Sequence, residues 1–158
     1  MNFRIIDIEK DKDLLIKFRK DTYIQSFGTE EGFDEITYLN RMEERINQCP
    51  SGQLIVEEDN TSIGQLGLGI VNYCGTQIGY INLIYLISEY RGKELGKDLI
   101  WYAENFFRNM NVSEYHLRVS PTNERAIRLY TNFGMVKLRE ENEEHPVLRL
   151  RKILSSNT

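Results

Sequence analysis

Apolar positions along the chain repeat with two rhythms, one near 3.6 residues and one of two, and their order predicts the elements. Asn2 to Ile8 is short and rich in Ile and Phe, and reads as an edge-type strand. From Asp11 to Phe27, Leu14, Leu15, Phe18, Tyr23 and Phe27 recur at roughly helical spacing, and Gly28 follows as a helix stop. A second helix is predicted over Asp34 to Gln48, with Ile36, Leu39, Met42 and Ile46 on one face and Pro50-Ser51-Gly52 as its breaker. Leu54 to Val56 is a short apolar run, Asp59-Asn60 signals a turn, and Ile63 to Tyr73 continues with period two. There Leu66, Leu68 and Ile70 alternate with Gly67 and Gly69, a pattern that marks a bulge or a close approach to the backbone. After the turn Cys74-Gly75-Thr76 comes Gly79 to Ile87, apolar on both faces apart from Asn82, hence a central strand covered on both sides. An amphipathic helix is predicted over Gly96 to Met110, with Leu99, Ala103, Phe106 and Met110 in one stripe and Ile100 and Phe107 beside it. Glu114 to Val119 reads as a strand and Ser120 to Asn132 as a short helix closed by Gly134. Met135 to Arg139 and Val147 to Ile153 read as a closing pair of strands. The order β-α-α-β-β-β-α-β-α-β-β describes a mixed sheet with helices packed on it.

Composition narrows the class. The 158 residues suit one domain, residues 1–158, able to bury a core without disulfides or metals. With 41% hydrophobic and 28% charged residues the chain is of the globular type. No apolar window reaches transmembrane length, and the start of the sequence lacks the apolar core of a signal peptide, so a cytoplasmic protein with no membrane partner is expected. The balance of 20 basic and 24 acidic residues argues against a nucleic-acid partner, which needs a broad basic face, while leaving room for a local pocket for a small anion. Cys49 and Cys74 form no CxxC; two buried or half-buried thiols are expected, with no zinc site or other metal.

The sharpest chemical feature is the junction Leu86-Ile87-Ser88-Glu89-Tyr90-Arg91-Gly92-Lys93-Glu94-Leu95-Gly96-Lys97, where an apolar strand runs through a basic turn into a helix. The first turn of a helix presents unpartnered N–H groups and partial positive charge, and glycine lets a ligand approach the backbone. A diphosphate suits such a turn. The turn fits neither the Walker pattern nor G-x-G-x-x-G, which removes support for ATP hydrolysis and for dinucleotide binding.

A second motif follows in Val119-Ser120-Pro121-Thr122-Asn123-Glu124-Arg125-Ala126-Ile127-Arg128-Leu129-Tyr130 and Gly134-Met135. Together the two stretches resemble the GNAT superfamily of N-acetyltransferases. That family carries an [RQ]-x-x-G-x-[GA] turn opening a helix, here Arg91 to Gly96, and later N-x-x-A-x-x-x-Y, here Asn123, Ala126 and Tyr130. The resemblance spans nearly the whole chain. It implies an α+β fold of three layers, with a mixed, mostly antiparallel twisted sheet and helices on both faces. One departure stands out: Glu94 occupies a position usually held by glycine. A carboxylate there repels a diphosphate, and a side chain there is expected to forgo a glycine-only backbone angle and point to solvent.

The resemblance further implies acetyl-CoA as cosubstrate and an amine acceptor that attacks the thioester directly. It implies that the backbone of Ile84, Tyr85 and Leu86 pairs with the pantetheine arm. The amides of Arg91, Gly92, Lys93, Glu94, Leu95, Gly96 and Lys97 would hold the diphosphate, and the amide of Asn123 would contact the cosubstrate besides capping its helix. Tyr130 is the candidate acid for the departing thiolate, since a phenol is protonated at neutral pH. No base is evident: Asp21, Glu30, Glu57, Glu58 and His116 are loose candidates, and His145 is given no role. Acceptor selection is expected from the two N-terminal helices, from Gly67 to Gly69, and from Tyr23, Phe27 and Phe33. Polyamines, aminoglycosides, amino acids, and protein N-termini or lysines all stay open as acceptors. A non-catalytic acyl-CoA-binding module and transfer of a longer acyl group are the alternatives. The closing strands are plausible edges for a homodimer.

Overall fold

A computed structural model describes residues 1–154 except residue 143, and leaves the side chains of Ser26 and Phe27 undescribed. Among the described residues four α-helices and seven strands follow in chain order: β1 (Asn2–Ile5), α1 (Ile8–Phe27), α2 (Glu35–Gln48), β2 (Gln53–Glu58), β3 (Thr61–Tyr73), β4 (Thr76–Leu86), α3 (Leu95–Asn109), β5 (Glu114–Val119), α4 (Glu124–Asn132), β6 (Val136–Asn142) and β7 (Pro146–Ile153). The sheet order is β1-β2-β3-β4-β5-β7-β6. It is mixed: β4 and β5 are parallel, while β1–β2, β2–β3, β5–β7 and β6–β7 are antiparallel. β4 is interior, as its apolar sequence predicts, yet Asn82, Leu83, Ile84 and Leu86 are only half-buried. β7 is also interior, between β5 and β6, so Val147 to Ile153 offers no free edge; its aliphatic sequence is explained by two strand neighbours.

The chain divides into two compact units, Met1–Gly67 with Leu83–Arg91, and Leu68–Asn82 with Gly92 onward. In the first, Asp7 ends the strand prediction early. Its carboxylate accepts from the N–H groups of Glu9 and Lys10 and starts α1 at Ile8 rather than Asp11. Gly28 closes α1 at φ 76°, a left-handed angle that glycine reaches without strain. Asp34 caps α2 through the N–H of Thr37. The buried stripe of α2 runs through Tyr38 and Met42, with Leu39 and Ile46 packed beside it. Ile36 is 74% exposed, because two residues along a helix turn it about 200° away from Tyr38. Leu15, Phe18, Met42, Ile55 and Tyr85 form the core here, Phe18 and Tyr85 meeting with ring centroids 4.9 Å apart.

Gly64 explains part of the glycine pattern in β3: a Cβ there would lie 2.3 Å from the Tyr85 carbonyl oxygen. Close backbone approach therefore falls at Gly64, while at Gly69 a Cβ would meet the Asn82 amide at 3.3 Å. The register shift next to β3 lies in β2, between Val56 and Glu57.

In the second unit α3 buries Leu99, Ile100, Ala103 and Phe107, while Phe106 is half-buried and Met110 is 46% exposed. The stripe is shifted from the predicted one for a steric reason. Gly79 on β4 leaves room for the Phe107 ring, which stacks on Tyr115 with centroids 5.3 Å apart. Glu104 shares this buried face. It accepts from the Tyr115 hydroxyl at 2.6 Å and from Lys152 Nζ at 2.7 Å, which offsets the desolvation of its charge. α4 packs on α3 where Gly96 comes close to Leu129, a Cβ at Gly96 lying 2.8 Å from the Leu129 side chain. Cys49 is buried and Cys74 exposed, and both are free thiols.

Candidate active site

The predicted residues fall into both units. In the first, β4 delivers Ile84, Tyr85 and Leu86, followed by the short 3-10 turn Ser88–Tyr90 and Arg91. Arg91 is anchored on three sides. Its Nε donates to the Leu86 carbonyl at 2.7 Å, its Nη2 donates to Asp21 at 2.9 Å, and its guanidinium lies 5.6 Å from the Tyr85 ring centre. The Tyr85 hydroxyl also donates to Asp21 through a short hydrogen bond. Burial pushes the Asp21 carboxyl up, but the bonds from Tyr85, Arg91 and Gln25 outweigh it and hold the group below the usual carboxylate range. A carboxylate held ionised by two donors is a poor proton acceptor, so Asp21 is a strut between α1 and the end of β4 rather than a base. Burial, then the Asp21 bond, pushes the Tyr85 phenol well up. Nothing in the sequence separates Asp21 from the other solvent-facing acids of α1. The tie to Tyr85 and Arg91 arises across 64 and 70 residues.

In the second unit the turn Gly92-Lys93-Glu94 opens α3 and is exposed. Gly92 has φ 75° and Glu94 has φ 64°, both left-handed. Glu94 thus adopts the angle that the sequence reading reserved for glycine. The turn between β4 and α3 imposes it, and the side chain tolerates it. Its carboxylate is solvent-exposed, makes no capping bond, and accepts from Lys97 Nζ at 3.3 Å. The N–H of Arg91 donates to Ser88 O and that of Lys97 to Glu94 O. Both lie at the ends of the predicted anion turn, whose middle is Gly92 to Gly96.

Asn123 caps α4, its Oδ1 accepting from the Ala126 N–H at 3.2 Å. Tyr130 sits in the last turn of α4, half-buried, with its carbonyl accepting from the Phe133 and Met135 N–H groups. Burial pushes its phenol up to about 12, so it stays protonated at neutral pH. His116 is fully buried between two partners: Arg149 Nε donates to its Nδ1 at 2.9 Å, which fixes the proton on Nε2, facing Glu114 at 2.7 Å. Burial, then the Arg149 charge, keeps the ring neutral against the pull of Glu114. With both nitrogens committed, His116 is a structural residue. Glu57 pairs with Arg4, Glu58 with the N-terminal amine, and Glu30 is exposed. His145 is exposed in the turn after β6. Tyr23 and Phe33 do associate, 5.9 Å between ring centres, whereas the Phe27 side chain lies outside the described residues. Among the described residues no group of three or more His, Cys, Asp or Glu is placed to hold a metal ion.

A mixed seven-stranded α+β sheet, with one strand-to-helix junction built as a left-handed turn and a later helix capped by Asn and ending in Tyr, is the arrangement of the GNAT acetyltransferases. The chain belongs to the acetyltransferase (GNAT) family, whose sequence model matches residues 14–135. Solved structures agree on the fold. A ribosomal-protein-alanine N-acetyltransferase from Brucella melitensis superposes with a TM-score of 0.77 at 18% identity, covering 98% of this chain and 100% of its own. A protein from Pyrococcus horikoshii OT3 gives 0.77 at 18%, with 98% of each chain covered. YncA from Salmonella typhimurium, solved with its cofactor acetyl-CoA, gives 0.71 at 15%, covering 100% and 96%. No curated protein matches in sequence. No helix among the described residues is long and apolar enough to cross a membrane.

Proposed function

We propose that the chain is a single catalytic domain that moves the acetyl group of acetyl-CoA to a primary amine, with Tyr130 as the acid that protonates the leaving thiolate. The observation that carries this reading is the family's anion turn at Gly92 to Gly96, open to solvent and left-handed at both Gly92 and Glu94. Backbone N–H groups at the head of α3 suit a diphosphate by charge and geometry. The backbone of Ile84 to Leu86, with Ile84 and Leu86 half-buried and Tyr85 buried, is where the family pattern puts the pantetheine arm. Asn123 spends its Oδ1 on the cap, which leaves its Nδ2 as the group for the cosubstrate. Arg91, Lys93 and Lys97 bring basic charge, although Asp21 and Glu94 neutralise part of it.

In the reaction the amine nitrogen attacks the thioester carbon, a C–N bond forms, and the C–S bond breaks. The Tyr130 hydroxyl gives its proton to sulfur, and the proton lost by the amine passes to solvent and restores the phenol. Burial keeps the Tyr130 phenol protonated at neutral pH, the state that a proton donor needs. The free thiols Cys49 and Cys74 suit a reducing cytoplasm.

Isothermal titration with acetyl-CoA, set beside desulfo-CoA and free CoA, tests the donor. Micromolar binding that weakens in Gly96→Glu is expected. Tyr130→Phe is expected to keep that affinity and lose transfer by about 10²-fold or more, measured by thiol release with a panel of amines. Binding with Tyr130→Phe fully active would remove the assigned acid. Binding without transfer to any amine would favour a non-catalytic acyl-CoA module, which the exposed Glu94 carboxylate also fits. No binding at millimolar acetyl-CoA would sink the reading.

A further inference from the structure

Within the first unit the end of β4 is tied off by side chains. The Ile87 N–H donates to the Ile63 carbonyl at 2.8 Å, and the Tyr85 carbonyl faces Gly64, so residues 85 and 87 turn their backbone groups towards β3. Backbone groups alternate along a strand, so Ile84 and Leu86 turn theirs to the opposite side. A carbonyl without a strand partner must find another donor or face water. For Leu86 that donor is Arg91, whose Nε reaches back five residues at 2.7 Å. Two backbone bonds close the same loop, from Tyr90 N–H to the Ile87 carbonyl at 3.0 Å and from Arg91 N–H to the Ser88 carbonyl at 3.2 Å. The Leu86 carbonyl is therefore taken, and a ligand lying along this side of β4 would meet Leu86 through its N–H.

A lone arginine side chain samples many rotamers, and holding one of them opposes its entropy. Asp21 supplies the hold. It stands on α1, three residues after Phe18, whose ring packs on Tyr85 in the core of this unit. Three donors converge on its Oδ2: Arg91 Nη2 at 2.9 Å, Gln25 Nε2 at 3.2 Å, and the Tyr85 hydroxyl through a short bond. Nε and Nη2 form one edge of the planar guanidinium, so a single rigid fork spans from the Leu86 carbonyl to the carboxylate of α1. The Tyr85 ring backs the fork, its centre 5.6 Å from the guanidinium carbon. The Asp21 side chain is 41% exposed, so this ion pair adds little to the stability of the fold; what it adds is direction.

We propose that Asp21 is a positioning residue for the acetyl donor: acting through Arg91, it keeps the Leu86 carbonyl capped and so aims the end of β4 at the pantetheine arm. The inference rests on the acetyltransferase reading and deepens it, by giving a residue of α1 a part in donor binding that it plays through another side chain.

Titration with two ligands separates this role from general damage. Acetyl-CoA carries the arm, and 3′-phospho-ADP is the same nucleotide diphosphate without it. Asp21→Ala in the full chain is expected to lower the ratio of the two affinities about tenfold, the size of one charge-assisted hydrogen bond. A change of local charge moves both ligands nearly alike and leaves the ratio in place. Arg91→Lys keeps the positive charge and loses the fork, so it should lower the ratio by a similar factor. The double variant should also lower it about tenfold, rather than the roughly hundredfold of two independent losses, because both changes break one chain of contacts. Asp21→Asn keeps the volume and one accepting oxygen; it should lower the ratio less than Asp21→Ala, and it carries the test if the alanine variant does not fold. A ratio unchanged in every folded Asp21 variant, or losses at Asp21 and Arg91 that simply multiply, would overturn the inference. A parent chain that does not bind acetyl-CoA would remove the transferase reading and this inference with it, whereas a parent that binds it, with variants that keep the ratio, would remove this inference alone.

Discussion

Glu94 holds a backbone angle that places Cβ against the following carbonyl and costs a residue other than glycine about 1–2 kcal/mol. What its side chain returns is one ion pair with Lys97, exposed on both sides and worth little in water. Glu94→Gly should therefore raise the urea midpoint, with a gain in unfolding free energy of up to about 1 kcal/mol once the greater freedom of glycine in the unfolded chain is subtracted. It should also tighten acetyl-CoA binding, because a carboxylate leaves the head of α3. An unchanged midpoint would mean that the turn is not strained at this residue. Motif spacing identified the position and its anomaly. It gave the wrong backbone angle because identity states a preference, whereas β4 and α3 fix the path of the turn between them. Asn123 was legible as a helix cap for the opposite reason, since residue type and conformation agree at that element end.

Elements were read well wherever one face decides them. β5 was placed to the residue, and Asp34 and Gly28 mark helix ends by local chemistry. The stripes of α2 and α3 were read less well, because which neighbouring residues turn inward depends on the surface beneath. For α3 that surface is Gly79. A Cβ there would lie 2.5 Å from Cδ1 of Phe107, whose ring is held by Tyr115 and has nowhere to go. Gly79→Ala should destabilise the fold by about 1–3 kcal/mol, the range for an overpacked core, as measured by denaturant unfolding. A variant as stable as the parent would show that α3 slides freely on the strand. Glu104 had a signal that went unused: it falls three and four residues from Phe107 and Ile100, on the buried face.

For the molecule as a whole, the net charge of −4 hides how charge is arranged. Arg118, Arg139 and Arg149 stand opposite one another across β5, β7 and β6, an arrangement that strand register sets and composition cannot register. The same pairing sets acid stability in two steps. His116 has a folded pKa below its ordinary value, so the unfolded chain binds its proton first. Stability is full above about pH 6.5 and falls as the pH drops from there. Asp11, Asp21 and Glu141 are each pushed up by burial and pulled further down by hydrogen bonds, from Arg4 to Asp11, from Tyr85 and then Arg91 to Asp21, and from Arg118 and Arg139 to Glu141. Their contribution is present above about pH 4 and is lost as the pH falls through their lower folded values. Unfolding midpoints between pH 8 and 3 should show both declines, and His116→Gln should flatten the first. Constant stability from pH 7 to 5.5 in the parent would remove His116 as the source.

The empty place at Gly79 has a meaning for descent. Phe107 fills a volume that a side chain at residue 79 would claim, so the two positions share one space and cannot drift separately. A descendant that acquires a methyl group at the first must trim the ring at the second, or accept a helix displaced from its strand. Such a lineage would have to change in pairs, and the order of change would favour the smaller residue at 107 first, since a hole is survivable where a collision is not.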